Sequence, residues 1–346
     1  MNLKKIGLAA LALMLVTGCS SSSNDKAEKE LVLSTFGLSE DELIESVYSP
    51  FEEKFGAKII TDLGTTNERY TKFSTNKNHG IDVIELSQAM TATGIEADLF
   101  LEVDTSKLEN YDNLLDPVKA FIDNGNGVPY TINSAGIIYN PNAIDFEITD
   151  YNDLWNAALE GKIAIPDIST TFGPAMVYMA SEYAGVDVTS DDGEAAFEAL
   201  ASLKPNIVKT YTKSSDLVNM FSSGEIAAAV VGDFAVGMIT AANPDVKYVQ
   251  PEGIYGNFNT INITASTKNE ALAYDYINYR LSKELQTTTA KEMNEGPTNK
   301  TVELTKEETA GMTFGDVANN ATFLDYSFVN PLLAQWTDNW NRTLNH

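Results

Sequence analysis

The sequence predicts an α/β protein of two lobes, each a mostly parallel sheet flanked by helices. Three observations carry this. Apolar runs of strand length alternate with segments of helical period over residues 31–88. The same alternation restarts after residue 136 and continues to residue 233. The chain is also long: of its 346 residues, about 320 follow the N-terminal segment, more than one hydrophobic core usually supports.

The elements follow in order. Leu31-Val32-Leu33 is a buried strand feeding a polar loop at Ser34, Thr35, Phe36 and Gly37. Ser39 with Glu42 has the spacing of a capping box. Leu43, Val47, Phe51 and Phe55 recur at spacing four, and Gly56 ends that helix. Residues 57–61 form a second strand and 67–76 a second helix. Residues 81–86 form a third strand ending at Ser87 and Gln88. In such sheets ligands sit beyond the carboxyl ends of strands, which singles out Thr35, Phe36, Ser87 and Gln88. Val128-Pro129-Tyr130 leads into a strand over 136–140. A helix spans 151–158, and a strand and turn follow over 161–167. Pro174 suits the start of the next helix and Gly185 its end. Helices at 195–203 and 214–222 precede a buried strand at 227–231 that stops at Gly232 and Asp233. Residues 249–263 are extended. Helices at 269–282 and 283–293 follow, and residues 323–344 close the chain in an amphipathic helix. Trp155, Trp336 and Trp340 are expected to pack in the core or under a surface helix.

The N-terminus has a different character. Lys4 and Lys5 precede an apolar run over 6–16, too short to span a bilayer. Leu15-Val16-Thr17-Gly18-Cys19 is similar to a bacterial lipobox, which implies a signal peptide over 1–18 and lipidation of Cys19. Cys19 is the single cysteine, so no internal disulfide is available to explain it. The Ser-rich, charged stretch after it makes residues 19–29 a flexible tether. The expected localisation is extracytoplasmic, anchored to the cell membrane by lipid alone.

The formal net charge is −26. It argues against nucleic acid, whose phosphates would repel the chain, and against lying on anionic lipid. It is compatible with a cationic ligand and with simple solubility. There are only two histidines and no HExxH or Cys/His cluster, so no metal site is expected. GxSxG is absent, and the chain is not expected to be an enzyme or to need a cofactor.

Several stretches together carry a resemblance. They are Val128-Pro129-Tyr130 with Gly136-Ile137-Ile138-Tyr139-Asn140; Tyr151-Asn152-Asp153-Leu154-Trp155 with Gly161-Lys162 and Asp167; Ser222-Ser223-Gly224-Glu225-Ile226 through Val231-Gly232-Asp233; Glu252-Gly253-Ile254; and Gly296-Pro297-Thr298-Asn299. In order and spacing the chain resembles extracytoplasmic solute-binding proteins of ABC importers, especially the spermidine/putrescine-binding group, over nearly the whole mature body. The resemblance implies a two-lobed periplasmic-binding-protein fold of type II, with two hinge crossings and a cleft that closes on a solute. It implies one lobe from 30–132 with 257–302 and another from 133–256 with 303–346. The implied partners are a small-molecule solute and the permease subunits, with the protein a monomer.

Carried over position by position, the family's first-strand aromatic falls on Phe36, which leaves stacking or cation–π contact. A cleft serine falls on Ser87, and a carboxylate that meets a ligand amine falls on Asp167. The family's next aromatic falls on Ala89, another on Val231, and its second acid near Asn259, so the polyamine pattern is kept only in part. Ser169, Thr170 and Thr171 precede a helix and suit a carboxylate or phosphate there, or simply cap it. Asp233 suits a cation or a cap. Tyr130, Asn133 and Ser134 lie at the first crossing, and Tyr255, Asn257, Phe258 and Asn259 at the second. The expected solute is an organic cation such as a polyamine. A zwitterionic or phosphorylated solute (thiamine-like, aminophosphonate or amino-acid-like) is the alternative, and a lipoprotein adhesin or sensor subunit is the alternative of another class.

Overall fold

The computed structural model describes residues 29–344 apart from 38, 77 and 126. The expected signal peptide, Cys19 and the tether up to residue 28 lie outside the described residues.

In the first half, β1 (Lys29–Phe36), β2 (Ala57–Gly64) and β3 (Val83–Ser87) lie parallel in the order β2-β1-β3. Between and after them come α1 (Glu40–Leu43), a π-helical turn at Ile44–Tyr48, α2 (Ser49–Phe55), α3 (Thr66–Thr75), α4 (Gln88–Glu96) and α5 (Asp116–Asp123). The spacing-four stripe behaves as expected: Val47 and Phe51 are fully buried, and Leu43 and Phe55 pack beside them. Gly56 ends α2 in the left-handed region at φ 58°, where glycine carries no Cβ penalty. The Ser39–Glu42 capping box does not form. Ser39 itself is left-handed, with no side-chain cap bond. The box is made instead by Thr65 and Glu68 at the start of α3, in the same T-x-x-E pattern.

β4 (Val128–Tyr139) is one continuous buried strand of twelve residues, not a lead-in followed by a shorter strand. Beyond it, β5 (Ile163–Pro166), β6 (Ile207–Tyr211) and β7 (Ala228–Gly232) are parallel in the order β7-β5-β6. The helices of this half are α6 (Gly173–Ala184), α7 (Glu194–Leu203), α8 (Asp216–Ser222) and α9 (Val236–Ala242). The helix expected at 151–158 is a pair of 3₁₀ turns, Tyr151–Trp155 and Ala157–Leu159. Asp150, in a box with Asp153, caps the start of the first turn and Asn156 that of the second.

β8 (Lys247–Val249) and β9 (Tyr255–Ile263) return the chain. β9 pairs antiparallel with β4 from Ala135↔Tyr255 to Val128↔Ile261, and with β3 from Ser87↔Asn259 to Val83↔Ile263. β4 also pairs with β7 over Ala135↔Gly232 to Tyr139↔Ala228. β4 and β9 thus serve both halves, and near Asn133 and Asn257 they pair with each other. The chain ends with α10 (Glu270–Arg280), α11 (Lys283–Met293), β10 (Gly296–Pro297), α12 (Asp316–Asn319), β11 (Thr322–Phe323) and α13 (Tyr326–Leu344).

Two main cores result. One collects Leu31, Leu33, Phe51, Val83, Tyr130, Ile261 and Tyr276. The other collects Ile137, Ile163, Met176, Leu200, Val230, Trp336 and Trp340. A smaller cluster under α8 and α9 completes the second half. The tail, expected to lie with the second lobe, divides between both: Ala318 is in the first core and Trp336 in the second. Phe323 stacks on Phe258 at 4.2 Å, while Thr313 is bonded to Asp233. The tail is therefore a third connection behind the crossing strands. No helix among the described residues is long and apolar enough to cross a membrane.

Candidate functional site

The strand register gathers a row of polar side chains where the two halves meet. Ser87 is opposite Asn259, Asn259 opposite Thr131, and Asn133 opposite Asn257. Asn257 Nδ2 donates to Asn133 Oδ1 and to Asn259 Oδ1, each at 3.3 Å. Asn257, Ser87 and Asn133 are buried, at 2%, 6% and 8% exposure. Gln88, the first residue of α4, donates through Nε2 to the Leu324 carbonyl at 3.0 Å, a bond between the two halves. Asn330 of α13 also reaches Ala89 and Thr93 of α4. The Asn257 Oδ1 and Gln88 Oε1 acceptors are buried with no partner. Such an atom costs about 1–3 kcal/mol unless something donates to it.

Other expected residues are engaged inside one half. Thr35 Oγ1 donates to Glu85 Oε2 at 2.5 Å. Tyr130 and Tyr276 donate to the same carboxylate at 3.2 and 2.8 Å. Arg280 lies 4.2 Å from the Tyr130 ring centre and donates to both Glu295 oxygens, at 3.2 and 3.3 Å. Burial pushes the Tyr130 hydroxyl far above its ordinary range, so it stays a donor. The Thr35 and Tyr130 hydroxyls thus point at a buried carboxylate rather than into the seam. Tyr255 likewise spends its hydroxyl on Glu182 at 2.6 Å, among Tyr151 and Tyr178. Phe36 is half-buried, with the Arg69 guanidinium 4.6 Å from its ring centre.

On the second half, the loop after β5 folds on itself. Asp167 Oδ1 accepts from the Ser169 backbone at 3.0 Å and from its hydroxyl at 2.6 Å, and Thr170 donates to the Asp167 carbonyl at 2.7 Å. Asp167 remains half-buried, while Ser169 and Thr171 are exposed. Asp233 directly follows β7 and is only 2% exposed. Its Oδ2 accepts from the Thr313 amide at 2.9 Å and from the Thr313 hydroxyl. Its Oδ1 has no partner, and its carbonyl accepts from Asn294 at 3.3 Å. Burial pushes the Asp233 carboxyl up to about 7. Asp233 therefore clasps the tail.

Glu85, Arg280, Arg69, Thr313 and Leu324 carry no signal of this kind in the sequence analysis, with one exception. Glu85 had a usable signal: a carboxylate inside the apolar run Val83-Ile84-Glu85-Leu86 requires a buried partner.

Two α/β cores joined by shared crossing strands, with a buried polar row at the join, define a bivalve binding fold. The chain belongs to the bacterial extracellular solute-binding proteins, whose family model matches residues 46–314. A crystal structure of an ABC transporter from Clostridium perfringens is 52% identical and superposes with a TM-score of 0.85, covering 91% of this chain and all of the other. The spermidine/putrescine-binding periplasmic protein of Salmonella typhimurium is 28% identical over 254 residues, 71% of this chain and 70% of the relative. The putrescine-binding periplasmic protein of Pseudomonas aeruginosa is 25% identical over 312 residues, 82% of each. The chain is the solute-binding component of an ABC importer. It acts outside the cytoplasm, works with permease subunits and catalyses no reaction.

Proposed function

We propose that the chain captures a small organic solute bearing an ammonium group at the seam between its lobes. One observation carries the ammonium: the buried Asn257 Oδ1 and Gln88 Oε1 acceptors lack donors; the reading sets against them the carboxylate of Asp167, half-buried just past the end of β5. An ammonium supplies three donors and no acceptor. The contacting set is Phe36, Ser87, Gln88, Asn133, Asn257 and Asn259, with Asp167, Ser169, Thr170 and Thr171 from the other side. Thr35, Tyr130, Tyr255 and Asp233 shape the walls from behind. The lobes comprise 30–132 with 257–302 and 133–256 with 303–346, with the tail reaching back onto the first.

Polyamines, for which the relatives are named, are one member of this solute class. A zwitterion such as an amino acid or aminophosphonate is the other. It is favoured by the Arg69 Nη2, a buried donor without a partner beneath Phe36. The protein is a monomer held at the membrane by lipid on Cys19. Cys19→Ala shifting the protein from the detergent phase to the aqueous phase of a Triton X-114 partition checks the anchor. For the solute, melting shifts are measured over polyamines, amino acids, aminophosphonates and thiamine. A ligand of the native state alone raises stability by RT ln(1 + [L]/Kd). Shifts by amines that Asp167→Asn weakens are expected; no shift by any amine rejects the reading.

A further inference from the structure

Arg69 is only 2% exposed, yet none of the ion pairs among the described residues includes it. Its Nε donates to the Gly64 carbonyl at 3.0 Å. Its Nη1 donates to the Ser34 and Glu85 carbonyls at 3.1 and 2.6 Å. One guanidinium thus ties together the carboxyl ends of β2, β1 and β3, the edge at which ligands sit in parallel sheets. Room for it is made at Gly64, where a Cβ would come within 3.2 Å of Arg69 Cγ.

The nearby acids bond to other groups and reach Arg69 only through space. The Glu85 carboxylate takes Thr35, Tyr130 and Tyr276. Asp62 takes Ser34 and Lys72. Backbone carbonyls are therefore the direct partners of the Arg69 charge, and its Nη2 has none. The Arg69 Cζ sits 4.6 Å from the centre of Phe36. An aromatic face attracts a cation through its quadrupole, and Arg69 already occupies one face of this ring. A second cation on the outer face would be repelled across the ring by a like charge in a poorly solvated place. A neutral planar group stacks there without that repulsion, and an anion at the positive edge of the ring gains from the guanidinium.

We infer that Arg69 is a specificity-determining residue, whose charge beneath Phe36 makes this end of the seam exclude a second ammonium. This inference rests on the reading of an amine-bearing solute at the seam. The solute class it selects carries one ammonium and a neutral or anionic tail, as in an amino acid or aminophosphonate, rather than a cation at each end.

The test is a titration by calorimetry of 1,4-diaminobutane against matched compounds in which one amine is replaced by a carboxylate or a phosphonate. The full chain without its lipid is used, as wild type, Arg69→Gln and Arg69→Lys. Wild type is expected to prefer the acidic counterparts by about tenfold or more, consistent with a like charge across the ring at intermediate dielectric. Arg69→Gln is expected to bring the ratio close to one, and Arg69→Lys to preserve it. If Arg69→Gln does not fold, the wild-type and Arg69→Lys ratios decide the matter. Diamine binding as tight as that of the acidic compounds overturns the inference while the amine-solute reading stands. A ratio unchanged in folded Arg69→Gln does the same. No binding by any amine overturns both.

Discussion

Asp233 allows a stability prediction with a definite sign. Its carboxyl is 2% exposed, one oxygen holds Thr313, and the other has no donor. Burial disfavours the charged form and here outweighs the hydrogen bonds made to the carboxyl. The folded value therefore rises from 3.8 to about 7. Between these limits the folded protein binds a proton that the unfolded chain does not, so folding weakens as pH climbs. The contribution is fully present below pH 4, is lost progressively up to the folded value near 7, and is flat above it. The rise from 3.8 to about 7 corresponds to about 4 kcal/mol in all. Asp233→Asn keeps an acceptor for Thr313 and carries no charge at any pH. Urea unfolding of both proteins should be followed at half-unit steps from pH 4.5 to 8.5. The stability of wild type minus that of the Asp233→Asn variant is expected to fall by a few kcal/mol over that range and level off above 7. Other titrating groups cancel in the difference. A flat difference, or one that rises with pH, refutes the claim that the buried carboxyl is held mostly protonated at mildly acidic pH.

Three further outcomes can be checked. Arg280→Met leaves Glu85 and Glu295 without their buried counter-charge and should cost about 3–5 kcal/mol; a loss under 1 kcal/mol by denaturant midpoint would show that the three hydroxyl donors suffice for Glu85. Trp336→Ala removes a fully buried ring from the second core, along with its bond to the Asp192 carbonyl at 2.7 Å, and should cost about 3–5 kcal/mol, seen as a lower melting temperature. Asn257→Leu removes the amide that links Asn133 and Asn259. Solute affinity should drop at least about tenfold, the worth of one charge-assisted bond, and unchanged affinity in calorimetry would place the solute elsewhere.

Local order was readable wherever a few neighbouring residues decide it. The stripe Leu43, Val47, Phe51 and Phe55 predicted a helical face, and Gly56 and Gly185 marked helix ends because only glycine enters the left-handed region without penalty. The near-identical signals at Ser39–Glu42 and Thr65–Glu68 show the limit of such reading. Both have the box spacing, but only Thr65 has the extended backbone the box needs. Ser39 is left-handed, which turns its side chain away from the N3 amide. The alternation of strands and helices likewise predicted two α/β lobes, since each sheet face must be covered by something apolar.

The seam was half legible. Ser87, Asn133, Asn257 and Asn259 lie at strand ends and crossings, and register brings them side by side. Thr35, Tyr130, Tyr255 and Asp233 have the same placement in the chain, but their polar atoms turn inward to Glu85, Glu182 and Thr313 instead. Those partners are far away in the chain: Tyr276 meets Glu85 across 191 positions and Asp233 meets Thr313 across 80. By itself the sequence determined most of the strands and helices, that they form two lobes, and that Ser87, Asn133, Asn257 and Asn259 belong at the crossings. Only the tertiary structure decided where each of those side chains points, that the tail clasps the hinge from behind, and that Arg69 lies beneath Phe36. Periodicity and caps are settled within one or two turns of chain, whereas the partner of a buried charge is settled by whichever distant segment packs against it.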